Sequence, residues 1–220
     1  MCGITGYVGD RDALPIVSST LSNLEYRGYD SAGVALGNDH LEVFKSEGAI
    51  GELTLPDEST ATSGIGHTRW STHGPPTDEN AHPHTDCTGA IAVVHNGIIE
   101  NHTQLKEELG EDHTFTSETD TEVVPHLIEE RWDGGDLLAA VSAVVDQLEG
   151  SFALAVLVEG RDEIIAARQD SPLVVGHGDG ETFLASDVPA FVEHSRDVTF
   201  LEDGDVAQIT PDTVTVYHDG

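Results

Sequence analysis

Short apolar runs, most of them with the two-residue alternation of strands, occupy much of this 220-residue chain. Residues 2–8 alternate enough to form a strand, and 31–36 with 41–44 predict a strand pair around Gly37-Asn38-Asp39. A further strand is expected over 65–70. It leads into a polar segment, 71–88, rich in Pro, His, Asn and Gly, and a loop of that length inside a compact domain usually serves a function. Residues 90–94 form an apolar strand that enters His95-Asn96-Gly97. Later strands are predicted at 151–158, 163–167, 173–175, 182–185, 198–200, 206–209 and 214–217.

Helical spacing appears in only four places. Leu14, Val17, Leu21 and Leu24 share a face of an element that ends at Arg27-Gly28, and residues 98–109 read as a helix closed by Gly110. Thr119-Asp120-Thr121-Glu122 has the form of a capping box, with Val123, Val124, Leu127 and Ile128 as the stripe that follows. Residues 137–148 repeat the amphipathic pattern. Many strands with helices grouped between them predict an α+β fold, antiparallel sheets covered by helices. With no internal repeat or linker, residues 1–220 read as one domain.

Composition adds one anomaly. A hydrophobic fraction of 38% suffices for a core, and the longest apolar run, 152–158, is too short to span a bilayer. The N-terminus lacks the basic-then-apolar pattern of a signal peptide, and two cysteines make no disulfide framework, so the expected location is cytoplasmic, away from membranes. The anomaly is charge: 41 acidic residues against 9 basic ones give a formal −32. The acids are dispersed among apolar positions, unlike those of a disordered acidic tail. Such a surface repels itself, and about 1 M salt, with a screening length of roughly 3 Å, relieves the repulsion. The chain therefore reads as halophilic, and nucleic acid is excluded as a partner on electrostatic grounds.

Cys2 is the leading candidate for chemistry. Removal of Met1 ahead of a small residue would give Cys2 a free α-amine beside its thiol, so that one residue carries a nucleophile and its base. Arg69, at the end of a strand and before the long loop, suits carboxylate recognition or a structural ion pair. Asn96-Gly97 is either a tight turn or a pair of donors, side-chain amide and backbone N–H, converging on an oxyanion. Asp120 either supports a helix start or receives an ammonium group. His67, His73, His82, His84 and Cys87 invite a metal reading, but their spacing fits no strong zinc pattern, and neither metal nor cofactor is expected.

Six segments then fall into a known order: Cys2-Gly3-Ile4-Thr5-Gly6, Tyr26-Arg27-Gly28-Tyr29-Asp30-Ser31, His67-Thr68-Arg69-Trp70-Ser71-Thr72-His73-Gly74, Asn80-Ala81-His82-Pro83-His84, His95-Asn96-Gly97-Ile98-Ile99-Glu100-Asn101 and Ser117-Glu118-Thr119-Asp120-Thr121-Glu122. Together they closely resemble the glutaminase domain of the glutamine–fructose-6-phosphate aminotransferase family, over practically the whole chain. The resemblance implies an N-terminal-nucleophile hydrolase fold, a four-layer αββα sandwich with two antiparallel sheets. It implies hydrolysis of L-glutamine through a glutamyl thioester on Cys2, with Asn96 and Gly97 as the oxyanion hole. Arg69 and Asp120 would hold the substrate α-carboxylate and α-ammonium, with Trp70, Thr72 and His73 also lining the pocket. Ser71 stands where the family more often has alanine, and Cys87 matches no functional position. The family's full enzymes are homo-oligomers that add sugar-isomerase domains binding fructose 6-phosphate, and the sequence here stops short of them. A glutaminase half serving another ammonia acceptor, or a non-catalytic regulatory module, would share these features.

Overall fold

The computed structural model describes residues 2–71 and 74–218. Two antiparallel sheets form its centre. The seven-stranded sheet runs in the order β11(Asp197–Phe200), β9(Val174–His177), β10(Glu181–Ala185), β1(Gly3–Gly9), β4(Ser63–Arg69), β2(Ser31–Gly37), β3(Leu41–Glu47). The six-stranded sheet runs β13(Val214–His218), β12(Asp205–Ile209), β8(Ile164–Gln169), β7(Gly150–Val158), β6(Ile91–Ile99), β5(His84–Thr85). Helix α1(Ala13–Ser22) covers the first sheet, and α2(His102–Leu109), α3(Val123–Arg131) and α4(Leu137–Val145) group beside the second.

Strand periodicity builds these layers. In β7, Leu154, Val156 and Val158 pack outward with Val124, Leu127 and Val141 of the helices, while Ala153, Ala155 and Leu157 face the other sheet. Both faces are covered, so residues 152–158 form an unbroken apolar run where a half-exposed strand would alternate. The layer between the sheets is rich in small residues, Ala35, Ala92, Ala153, Ala155, Ala166 and Ala207, which let the sheets approach closely. On the far side Tyr7, Val17, Leu21 and Phe183 close the core beneath α1. Among the described residues no helix is long and apolar enough to cross a membrane.

The predicted strands form within about three residues of their expected bounds, with three departures near the site. Residues 98 and 99 do not begin a helix. Strand β6 continues to Ile99, because Ile98 and Ile99 pair with Ser151 and Gly150 of β7, and α2 starts only at His102. Asn96-Gly97 consequently lies inside a strand and is not a turn. The capping box does not form either. Glu122 is the N-cap of α3, but its carboxylate turns back to accept from the backbone N–H and hydroxyl groups of Thr116 and Ser117. Finally, His84–Thr85 adds a short edge strand against Val93 and Ala92 inside the segment expected to be loop.

Candidate active site

Cys2 immediately precedes β1, which lies in the middle of its sheet between β10 and β4. The backbone N–H of Trp70, just past the end of β4, donates to Cys2 Sγ at 3.2 Å, and the thiol faces the Trp70 carbonyl at 3.6 Å. Arg27 fixes the other side of the residue. Its Nε donates to the Cys2 carbonyl at 3.0 Å while Nη1 pairs with Asp187 at 3.0 Å. Gly28 makes this arrangement possible, since a Cβ there would lie 2.6 Å from the Arg69 carbonyl carbon. Burial pushes the Cys2 thiol up, against the Trp70 N–H and the nearby Arg69 and Arg27 charges, which pull it down. Burial thus leaves the thiol protonated at neutral pH, so its attack requires a base.

The second sheet supplies the facing donors. Asn96 Nδ2 donates to the Cys2 carbonyl at 3.0 Å, which fixes the amide with its N–H groups toward the cysteine. His67 secures that orientation, with Nε2 3.0 Å from both Asn96 Oδ1 and the His95 carbonyl. Both partners are acceptors, so Nε2 carries the proton. Gly97 lines the same pocket at φ +130°, where a side chain would be strained and would strike the Ser151 carbonyl oxygen at 2.0 Å.

Arg69 and Asp120 provide opposite charges on the pocket wall. Arg69 ends β4 and is 4% exposed, donating from its guanidinium to the Pro75 and Gly74 carbonyls at 3.3 and 3.4 Å. Burial lowers its pKa, opposed by Cys2, Asp120 and Asp30, and a guanidinium stays charged regardless. The Asp120 carboxylate accepts from the Ile99 N–H at 2.7 Å, so the strand extension in β6 is what positions it. Beneath lies a layer of buried histidines. His67 stacks on His82 with centroids 4.1 Å apart, and His82 meets His84 edge-on at 4.6 Å. Burial holds His67 down to about 3 and His82 and His84 well below their usual value. All three are neutral at physiological pH, leaving Arg69, Arg27 and Asp120 to set the field.

Of the residues singled out from sequence, Cys2, Arg69, Trp70, Gly97 and Asp120 line one pocket, and Asn96 joins it through the Cys2 carbonyl. Thr72 and His73 lie outside the described residues, as does Met1. Trp70 contributes backbone to the thiol, while its ring is exposed and lies edge-on to Tyr29 at 5.8 Å. Sequence reasoning overlooked His67 and Arg27 as positioning groups. Strand alternation was the available signal for His67, since positions 67 and 69 share a face of β4. Of the five residues that invited a metal reading, His67, His82 and His84 form the stacked layer, Cys87 meets a different set of residues, and His73 lies outside the described residues.

Helix, sheet, sheet and helix in succession, with a cysteine at the mouth of a central strand and amide donors opposite, define the N-terminal-nucleophile class of amidotransferases. Comparisons with known proteins agree. The glutamine amidotransferase domain family matches residues 67–193, more than half of the chain. The glutamine–fructose-6-phosphate aminotransferase (isomerizing) of Halobacterium salinarum is 59% identical over all of this chain and 37% of its own length. Its namesake in Aquifex aeolicus is 56% identical over 99% of this chain and 38% of its own. Among solved structures, the glutamine phosphoribosylpyrophosphate amidotransferase of B. subtilis superposes with a TM-score of 0.84 at 27% identity, covering 100% of this chain and 49% of that one. The chain belongs to the glutamine amidotransferase domain family, and it spans somewhat over a third of the length of the curated relatives it matches.

Proposed function

We propose that residues 1–220 form a glutaminase unit in which Cys2, freed of Met1, hydrolyses L-glutamine to glutamate and ammonia. The substrate α-carboxylate pairs with Arg69 and its α-ammonium with Asp120, bringing the side-chain amide to the sulfur. Trp70, Thr72 and His73 complete the pocket wall. The thiol proton passes to the Cys2 α-amine as Sγ attacks the amide carbon. The oxyanion that forms accepts from Asn96 Nδ2–H and the Gly97 N–H. Collapse of this intermediate expels ammonia, which takes the proton from the α-amine, and leaves a glutamyl thioester. Water, activated by the same amine, then cleaves the thioester and restores the thiol.

The observation that carries this reading is the convergence on Cys2 of donors from both sheets, Trp70 N–H at 3.2 Å from sulfur and Asn96 Nδ2 at 3.0 Å from its carbonyl. Three buried neutral histidines nearby offer no competing positive charge. A reduced nucleophilic thiol also suits a cytoplasmic location. The ammonia would serve glucosamine 6-phosphate synthesis from fructose 6-phosphate on a partner sugar-isomerase domain in a homo-oligomer, a reading supported by relatives bearing the isomerizing aminotransferase name. Incubating the processed chain with L-glutamine tests the first half: glutamate and ammonia should appear in equal amounts. Adding the isomerase region and fructose 6-phosphate tests the second, and glucosamine 6-phosphate should then form. Ammonia release without amino-sugar formation would sink the acceptor assignment alone.

A further inference from the structure

Away from the pocket, the fold gathers four potential metal ligands that are widely separated in sequence. Cys87 lies on the exposed loop after β5, His113 lies between α2 and α3, and His126 and Glu129 sit one turn apart on α3. Their ligand atoms lie within 4.8 Å of one another. Cys87 Sγ is 3.7 Å from His113 Nδ1 and 3.6 Å from His126 Nδ1. The two Nδ1 atoms are 3.2 Å apart, and Glu129 Oε2 lies 3.2 and 3.4 Å from them.

Five of the six separations among these atoms, 3.2–3.7 Å, are close to the edges of a tetrahedron around one ion. Metal–ligand bonds of about 2.0–2.3 Å at tetrahedral angles put ligand atoms roughly 3.3–3.7 Å apart. Proton placement points the same way. His113 Nε2 is 3.0 Å from Glu130 Oε1, so in the neutral ring Nε2 holds the hydrogen and Nδ1 turns its lone pair into the cluster. His126 is 1% exposed, and its Nε2 has no hydrogen-bond partner among the described residues, leaving Nδ1 as the ring's polar outlet. Two imidazole nitrogens, one carboxylate oxygen and one sulfur thus converge with no cation among them. The Glu130 carboxylate behind His113 is the outer partner that metal-bound histidines usually have.

We propose that Cys87, His113, His126 and Glu129 bind one zinc ion as a structural site. Four protein ligands leave no open position for catalysis, and the sulfur and imidazole donors disfavour magnesium and calcium. The ion would pin the loop after β5 and the segment ahead of α3 to α3 itself. This assignment is independent of the glutaminase reading.

A chain of formal charge −32 attracts divalent ions diffusely, so the test is made in molar KCl with excess Mg2+. The full chain is stripped with a chelator, reloaded with Zn2+ or Co2+, and assayed for metal content, visible absorption and Tm. One zinc per chain, a thiolate-to-cobalt charge-transfer band with tetrahedral cobalt absorption, and a Tm raised by Zn2+ but not by Mg2+ are expected. Cys87→Ser, at an exposed position, should keep the far-ultraviolet circular dichroism, lose the charge-transfer band and weaken zinc binding at least about 10-fold. Glu130→Gln should keep the band and weaken binding by about 10- to 100-fold. Absence of stoichiometric zinc in the parent chain, or unchanged zinc affinity in Cys87→Ser, would overturn the assignment.

Discussion

The two cysteines of this chain occupy opposite chemical worlds. Cys2 adjoins a central strand and is surrounded by donors and cations: the Trp70 N–H, the Arg27 and Arg69 guanidiniums and the Asn96 amide. Cys87 sits on an exposed loop and is surrounded by lone pairs, two imidazole nitrogens and a carboxylate. The first environment welcomes negative charge developing on a substrate beside the sulfur. The second welcomes a cation bound to the sulfur. What a thiol does is set by the polarity of the groups that face it, and here one fold builds both signs.

Substitutions should separate the two regions, beginning with the nucleophile. Cys2→Ala should lower glutamine turnover by about 10⁴-fold or more while glutamine binding, measured by calorimetry, largely survives. Retained turnover would assign the chemistry to another residue. Next comes Asn96→Ala, for which kcat should fall by about 10²- to 10³-fold with the fold intact, as for loss of one oxyanion donor. Arg69→Lys keeps the charge but loses the planar fork, and KM for glutamine should rise about 10- to 100-fold, or roughly 1.4–2.8 kcal/mol, with kcat little changed.

Salt acts on both regions at once. Moving from about 1 M salt to dilute buffer restores repulsion among the dispersed acids, and circular dichroism should report loss of structure. An unchanged spectrum would remove the halophilic reading and leave both sites standing. The smallest effect on catalysis belongs to the other thiol. Cys87→Ala should leave kcat and KM for glutamine within about two-fold of the parent, and a large loss of rate would erase the distinction drawn between the cysteines.

The sequence made strand-rich α+β layering legible because the patterns of β1, β4 and β7 are strong and local. Arg69 was legible as a polar residue placed where a strand ends, and Asn96 as one just beyond the apolar stretch 90–94, although β6 in fact runs on through it. Two things were hidden. The helix expected over 98–109 begins only at His102 because Ile98 and Ile99 find partners in β7, more than fifty residues on, and that pairing also delivers the Ile99 N–H to Asp120. The neighbours of Cys87 were hidden for the same reason, since His113 and His126 lie 26 and 39 residues away and meet it only after α3 docks. In both places long-range pairing outweighed local pattern. The motif resemblance named most of the pocket, but positioning groups such as His67 emerged only from the Nε2 contacts that orient Asn96.

The proposed hydrolysis requires a thiol whose base is the amine of its own residue. Intact-mass analysis after reaction with an electrophilic glutamine analogue, run on chains with and without Met1, tests that most directly. The processed chain should gain a single adduct that peptide mapping assigns to Cys2, and the chain that keeps Met1 should stay unlabelled and inactive. Labelling at Cys87, or equal turnover by both forms, would contradict it.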